Sequence, residues 1–376
     1  MPTHSSPAVH VEESMQRRAP LGRADTSLAA FVGQAAQGPL DTPVRVQGFA
    51  QFESTFGPLA TDLELPWTLW QFFLNGGADA WVVRVADTTA QALAGDRTGR
   101  RGLFALDAAD GFNLLCLPGV SDPTVLRTAA TYCEERHAFF LVDAPATALT
   151  PTEMHAALQR GLMPASSNAA VYYPWVVLAD PHGAATPRLA PPSGTLAGIY
   201  ARTDRTRGVW KAPAGTQAWL QGVTQLACAL GSQDLETLNA RGINCLRDQP
   251  GYGPCVWGAR TLRPTDPGWK YISVRRLALL LQRSLLEGLD WVAFEPNDEA
   301  LWTSLRAVAS DFLAALWRDG ALLGDRVEQA GFAQCGLGQT MTQDDIARGK
   351  ARLTLGFAPV RPAEFVVLSL EFETAG

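Results

Sequence analysis

The chain has 376 residues, 47% hydrophobic and 18% charged, enough apolar material for a core spread over two or three domains, which excludes wholesale disorder. Lysine plus arginine number 31 against 37 acidic residues, a net charge of −6, and that acidic balance excludes a non-specific grip on DNA or RNA, which needs a basic face. Glycine (34) and proline (25) are frequent but scattered, so the chain is globular and loop-rich, not a collagen-like fibre.

The N-terminal stretch MPTHSSPAVHVEESMQRR has no apolar h-region. No run approaches the ~18 apolar residues of a membrane span. A soluble chain without an export signal is expected. Pro7-Ala8-Val9-His10-Val11-Glu12 alternates like a short strand, with Val9 and Val11 on one face. It reads either as a frayed terminus or as an arm that completes a sheet elsewhere by strand addition.

From residue 28, LAAFVG reads as a buried strand and FAQFESTFG as a short helix closed by Gly57. LPWTLWQFFLNGG is a helix crowded with aromatic residues, ending at Asn75-Gly76-Gly77. AWVVRVA is a strand, and residues 87–112, polar and rich in arginine, read as a surface excursion. FNLLCL is a strand, and Asp122-Pro123 opens a helix through Arg136. AFFLVD is a strand, Thr150-Pro151 opens the next helix, and AVYYPWVVLAD is one further extended run. This alternation predicts an α/β layer with helices over a mixed sheet. Residues 181–195 are a proline-dense loop.

The last third differs. SVRRLALLLQRSLLEGLDWVAFEPNDEALWTSLRAVASDFLAALWRDG reads as two helices joined by a strand. The second carries an amphipathic stripe through Leu301, Trp302, Leu305, Ala309, Phe312 and Leu316, with Asn297 as its N-cap. Arg275, Arg276 and Arg283 sit on the first helix; a solvated face is the default reading, an intersubunit or tube-facing charge the alternative. In the final strand Val366, Leu368, Leu370 and Phe372 share one face, while the other runs from Phe365 and Val367 to Ser369, Glu371 and Glu373. A strand of about eleven residues is twice the mean and can project beyond its own sheet.

Little in the sequence demands catalysis. There is no P-loop, no G-x-S-x-G and no H-E-x-x-H, and the five histidines are dispersed. The six cysteines form no C-x-x-C pair and no zinc spacing, which predicts reduced structural thiols and a cytoplasmic setting. Asp143 and Asp180 each follow an apolar strand, where α/β sheets bind ligands, and could together hold a divalent metal. Both also suit turn or cap positions. The acids of FEPND (Phe294–Asp298) suit a helix start.

Taken together, several blocks resemble the contractile tail sheath family of phage tails and phage-tail-like injection machines. SPAVHVEE resembles the family opening P-G-V-Y-V-E-E, with Ala8 and His10 where glycine and tyrosine are usual. TSLAAFVGQAAQGPLDTPVRVQGFAQFESTFG and WQFFLNGGADAWVVRV follow. PPSGTLAGIYARTDRTRGVWKAPAG, GINCLRDQPGYGPCVWGARTL, WKYISVRRL, WVAFEPNDEALW, TMTQDDIARGK and APVRPAEFVVLSLEF complete the order.

The resemblance implies a mixed α+β and α/β fold of the tail-sheath type. An N-terminal linking arm (1–24) and an outer α/β domain (25–255) would be followed by an inner sheath domain (256–362) and a C-terminal linking strand (363–376). It implies a structural subunit, not an enzyme, with no catalytic residue, metal or cofactor. Subunits would stack as hexameric rings around an inner tube and shorten to drive that tube through a target envelope. Ala8, Val9, His10, Val11 and Glu12, with Phe365, Val366, Val367, Leu368, Leu370 and Phe372, would link neighbouring subunits by strand addition. Arg306, Asp311, Arg318 and Asp319 would face the tube.

The implied partners are the chain itself, the inner tube protein, baseplate and terminator or cap proteins, and sheath paralogues, without nucleic acid or membrane insertion. Assembly would take place in a bacterial cytoplasm, for a phage tail or a released extracellular particle. The alternatives are a baseplate or terminator adapter sharing the sheath core, and an α/β enzyme built on Asp143 and Asp180.

Overall fold

The computed structural model describes residues 21–179, 181, 187–360 and 366–374. Its first body is an eight-stranded sheet. The strands are β1 (Ala29–Gln34), β2 (Pro43–Val46), β3 (Ala80–Val85), β4 (Leu114–Cys116), β5 (Phe139–Asp143), β6 (Ala169–Tyr173), β10 (Ile243–Gln249) and β11 (Gly253–Trp257). Between β6 and β10 in the chain come β7 (Val176–Leu178), β8 (Arg188–Ala190) and β9 (Val223–Leu226), a separate three-stranded sheet ordered β8-β7-β9. The large sheet runs β11-β10-β6-β5-β4-β1-β3-β2, parallel throughout its six central strands and antiparallel at both edges.

A parallel sheet needs cover on both faces, and the strand alternation supplies it. In β1, Ala30 and Val32 face one core while Ala29 and Phe31 face the other. The first face is covered by α3 (Ala90–Ala94), α4 (Pro123–Glu135), α5 (Pro151–Gln159) and α7 (Ser232–Ala240). On the second lie α1 (Phe49–Phe56), α2 (Glu64–Leu74) and α6 (Ser193–Arg207). The α4 start behaves as its sequence dictates: Asp122 caps the amides of Thr124 and Val125, with proline in the first turn. Thr150 and Glu153 form a reciprocal capping box on α5.

The second body contains α8 (Ile272–Gly288), α9 (Glu299–Arg318) and an antiparallel sheet of β12 (Gly331–Gln334), β13 (Lys350–Phe357) and β14 (Val366–Glu373), ordered β12-β13-β14. Its core joins Leu277, Leu281 and Leu285 of α8, the apolar stripe of α9 and the inward residues of β13 and β14. Helix α8 serves both bodies, since Ile272 and Leu279 belong to the core beneath the large sheet.

Four local expectations are corrected. Residues 87–112 do not all lie at the surface. Leu93, Leu103, Leu106 and Phe112 enter the core, because Gly95 and Gly102, both at positive φ, let two chain segments meet. A Cβ on Gly95 would lie 1.9 Å from the Arg101 carbonyl oxygen. The AVYYPWVVLAD run is two strands, β6 and β7, of different sheets, parted at the cis Tyr173–Pro174 bond. The link between α8 and α9 is a 3₁₀ turn, Asp290–Phe294, and not a strand. The α9 cap is Asp298, which accepts from the Leu301 amide at 3.0 Å. Asn297 instead accepts from Trp302 Nε1 and donates to the Lys350 carbonyl, tying the helix start to β13.

Candidate assembly surfaces

The arginines of α8 lie at the seam between the bodies. Arg276 is 3% exposed and forms a fork with Asp204 of α6, itself 2% exposed, at 2.6 and 2.8 Å. A third bond runs to the Thr26 carbonyl at 2.9 Å, and the guanidinium lies over the Tyr200 ring. Burial pushes the Asp204 carboxyl above its ordinary range, and the Arg276 charge opposes that push. Arg275 stacks on Trp269 and donates to Asn168 at 2.7 Å, and Arg283 donates to the Phe112 carbonyl. The expected solvated face is therefore an internal clamp, because each of these charges finds an acceptor on the large-sheet body. The signal was present in the spacing. Ile272, Arg276 and Leu280 stand four residues apart, which places Arg276 in line with core positions.

The polar face of α9 divides. Arg306 is used inside the chain, donating to Glu299, Thr303 and the Cys335 carbonyl. Asp319 pairs with Arg23. Asp311 and Arg318 are exposed and have no partner among the described residues. Of the four residues expected to face a tube, these two keep their charges uncommitted.

Strand β14 alternates as its sequence predicts. Val366, Leu368, Leu370 and Phe372 are buried, and Val367, Ser369, Glu371 and Glu373 point outward. Eight residue pairs join it antiparallel to β13, with Leu370 opposite Leu353 and Leu368 opposite Leu355. Lys350 and Arg352 of β13 both bond Glu371 and hold its carboxyl below the ordinary range. The far edge of β14 pairs with no strand among the described residues. An edge of unpaired amides and carbonyls is a template for another chain. Ala8–Glu12 and Phe365 lie outside the described residues.

Asp143 is fully buried at the end of β5. It accepts from the Gly119 amide at 3.0 Å, the Ser193 amide at 2.8 Å and Ser193 Oγ at 2.8 Å. Burial pushes its carboxyl up to about 7, against those three donors. The group ties β5 to the loop after β4 and to the start of α6, so its lone pairs serve the fold. Asp180, its expected metal partner, lies outside the described residues. No group of three or more metal-ligating side chains gathers among the described residues. The cysteines are all free, and burial pushes the Cys116 and Cys133 thiols far up, so neither is a nucleophile at neutral pH.

Comparison with known proteins places this architecture. The family model for the phage tail sheath protein central domain matches residues 89–262, and that for the phage tail sheath C-terminal domain matches residues 264–373. The tail sheath protein of Vibrio phage KVP40 is 30% identical over 141 residues, covering 37% of this chain and 21% of that protein. The chain thus matches only about a fifth of that longer relative. The sheath chain of an extracellular contractile injection system, the PVC sheath complex in its contracted state, is 31% identical. It matches over 98% of both chains with a TM-score of 0.79. Anti-feeding prophage chains match at 30% identity and a TM-score of 0.75. In the contracted helical sheath the match covers 97% of this chain and 99% of that one, and in the baseplate structure 97% and 98%. With both bodies matched by sheath domain models and the whole chain by sheath subunits, the protein belongs to the phage tail sheath family.

Proposed function

We infer that this chain is the structural subunit of a contractile sheath. Subunits stack as hexameric rings around an inner tube, and the stack shortens to drive the tube through a target envelope. The observation that carries the reading is the end-to-end agreement with the PVC sheath chain, at an identity high enough to reflect descent and not fold alone. The adapter and enzyme alternatives have no comparable support. An adapter would form one ring, and Asp143 has no free face for substrate.

In this reading the N-terminal arm, 1–24, and the C-terminal strand, 363–376, link neighbours. The far edge of β14 is the docking line, since strand addition there makes main-chain bonds that tolerate rigid-body rotation of the subunits. The large-sheet body is the outer domain and the α8–α9 body the inner one. The division at 255/256 falls within β11, so we draw it in the linking residues 258–271. Asp311 and Arg318 face the inner tube. Baseplate and terminator proteins bind the two ends of the stack, sheath paralogues share it, and assembly takes place in a bacterial cytoplasm.

The test is sedimentation of the purified chain beside a variant lacking residues 1–13. The full chain pellets as polymer, and the deletion stays in the supernatant as a folded monomer. A full chain that never pellets at any concentration overturns the reading. A deletion that pellets equally overturns the arm linkage.

A further inference from the structure

A groove of about 620 Å³ opens between the C-terminal half of α6, the loop 211–219 and Tyr252 in the β10–β11 turn. Arg202, Arg207 and Lys211 line it, and no carboxylate does. Arg202 is held in place by the carbonyls of Asn75, Gln217 and Trp219, and its guanidinium stacks on Trp219 at 4.8 Å. Arg207 donates to Gln217 Oε1. The Lys211 ammonium has no partner among the described residues. Trp219 and Tyr252 are 42% and 64% exposed. A cationic groove with two aromatic walls suits an aromatic side chain flanked by carboxylates.

The same chain carries that shape elsewhere. Phe294, at the end of the 3₁₀ turn between α8 and α9, is 84% exposed, the highest value for any large apolar side chain among the described residues. The surrounding segment 290–299 holds Asp290, Glu295, Asp298 and Glu299 and no basic residue. Asp298 caps α9 and Glu299 pairs with Arg306, which leaves Asp290, exposed at the start of the turn, beside the phenylalanine. None of these residues lines the groove of its own chain. A large phenylalanine left in water is an anchor in search of a pocket.

We propose that Phe294 of one subunit inserts between Trp219 and Tyr252 of a second copy, with the exposed Asp290 facing Arg207 and Lys211. The two surfaces differ and lie on different bodies, so the contact is heterologous. Such contacts repeat head to tail and close into rings or continue as helices. The proposal rests on the sheath reading and names a side-chain contact for it, independent of the strand edges.

Two variants of the full chain test it. Ala293→Cys and Thr216→Cys are purified separately, mixed under assembly conditions and treated with a short bismaleimide. With the free, part-buried Cys228 replaced by alanine in both, the expected result is a covalent dimer in the mixture that neither variant gives alone. In parallel, Phe294→Ala raises the critical concentration for polymer about tenfold, the range of a lost anchor residue. Because the side chain is already in water, the melting temperature of the monomer does not move. Lys211→Glu has the same effect, and Asp290→Lys added to Lys211→Glu recovers part of the loss. Polymer that forms at the wild-type concentration without Phe294, and without the mixed cross-link, overturns the contact and leaves the sheath reading standing. A wild-type chain that stays monomeric throughout overturns both.

Discussion

Replacing Arg276 with methionine removes the guanidinium and leaves its apolar stem in place. Asp204, 2% exposed, then loses both fork bonds, and the Thr26 carbonyl loses its donor. Breaking a buried ion pair from one side costs about 3–5 kcal/mol, because a charge is stranded without solvent. Asp204 limits the loss by taking up a proton, which its raised pKa already favours. The double variant Arg276→Met, Asp204→Leu strands no charge and leaves only the Thr26 carbonyl without its donor, so it recovers most of the loss, and the coupling energy of the cycle is about 3 kcal/mol. Urea unfolding followed by tryptophan fluorescence is the assay. The single variant unfolds earlier and in two steps, because the clamp between the bodies has opened. A single variant within about 0.5 kcal/mol of the wild type, the ordinary scatter of surface substitutions, would refute the argument that this pair is buried and joins the two bodies.

Other predictions concern single groups. In the fold Asp143 keeps its proton up to about pH 7, whereas an unfolded aspartic acid loses it near 4. Between those values folding takes up a proton, so stability from this group is full at low pH and falls as pH rises, by an amount on the order of 4 kcal/mol. Melting scans at pH 5 and pH 8 therefore differ less for Asp143→Asn than for the wild type; an unchanged pH difference contradicts this. Leu370→Ala opens a cavity between β14 and the helices of its core and costs about 2–5 kcal/mol, read as a lower urea midpoint. A loss under about 1 kcal/mol would mean that β14 does not pack on its own body. Reversing both Asp311 and Arg318 leaves the melting temperature unchanged, since neither has a partner among the described residues. The same variant weakens co-sedimentation with the inner tube protein, and full binding would remove these residues from the tube surface.

The elements with strong local signals were legible from sequence. Asp122-Pro123 and Thr150-Pro151 started helices because cap side chain and pre-set φ act within four residues. The alternation in β14 gave its buried face because a strand has period two. What failed depended on distant partners. Arg276 is charged by type yet buried, because Asp204, 72 positions away, meets it across the seam. The apolar residues of 87–112 are core because two glycines fold the segment back on itself. The acids at the start of α9 were recognised, but Asp298 took the cap because Asn297 is used by Trp302 and Lys350. For the assembly surfaces the sequence showed the β14 pattern and not the α6 groove. That groove is made of residues from three segments brought together only by folding.

The central claim is that copies of this chain build a sheath, and negative-stain electron microscopy of the purified protein expressed alone tests it most directly. The account predicts hollow, striated tubes with six-fold end views. Monodisperse particles of single-subunit size at every concentration tested would contradict it.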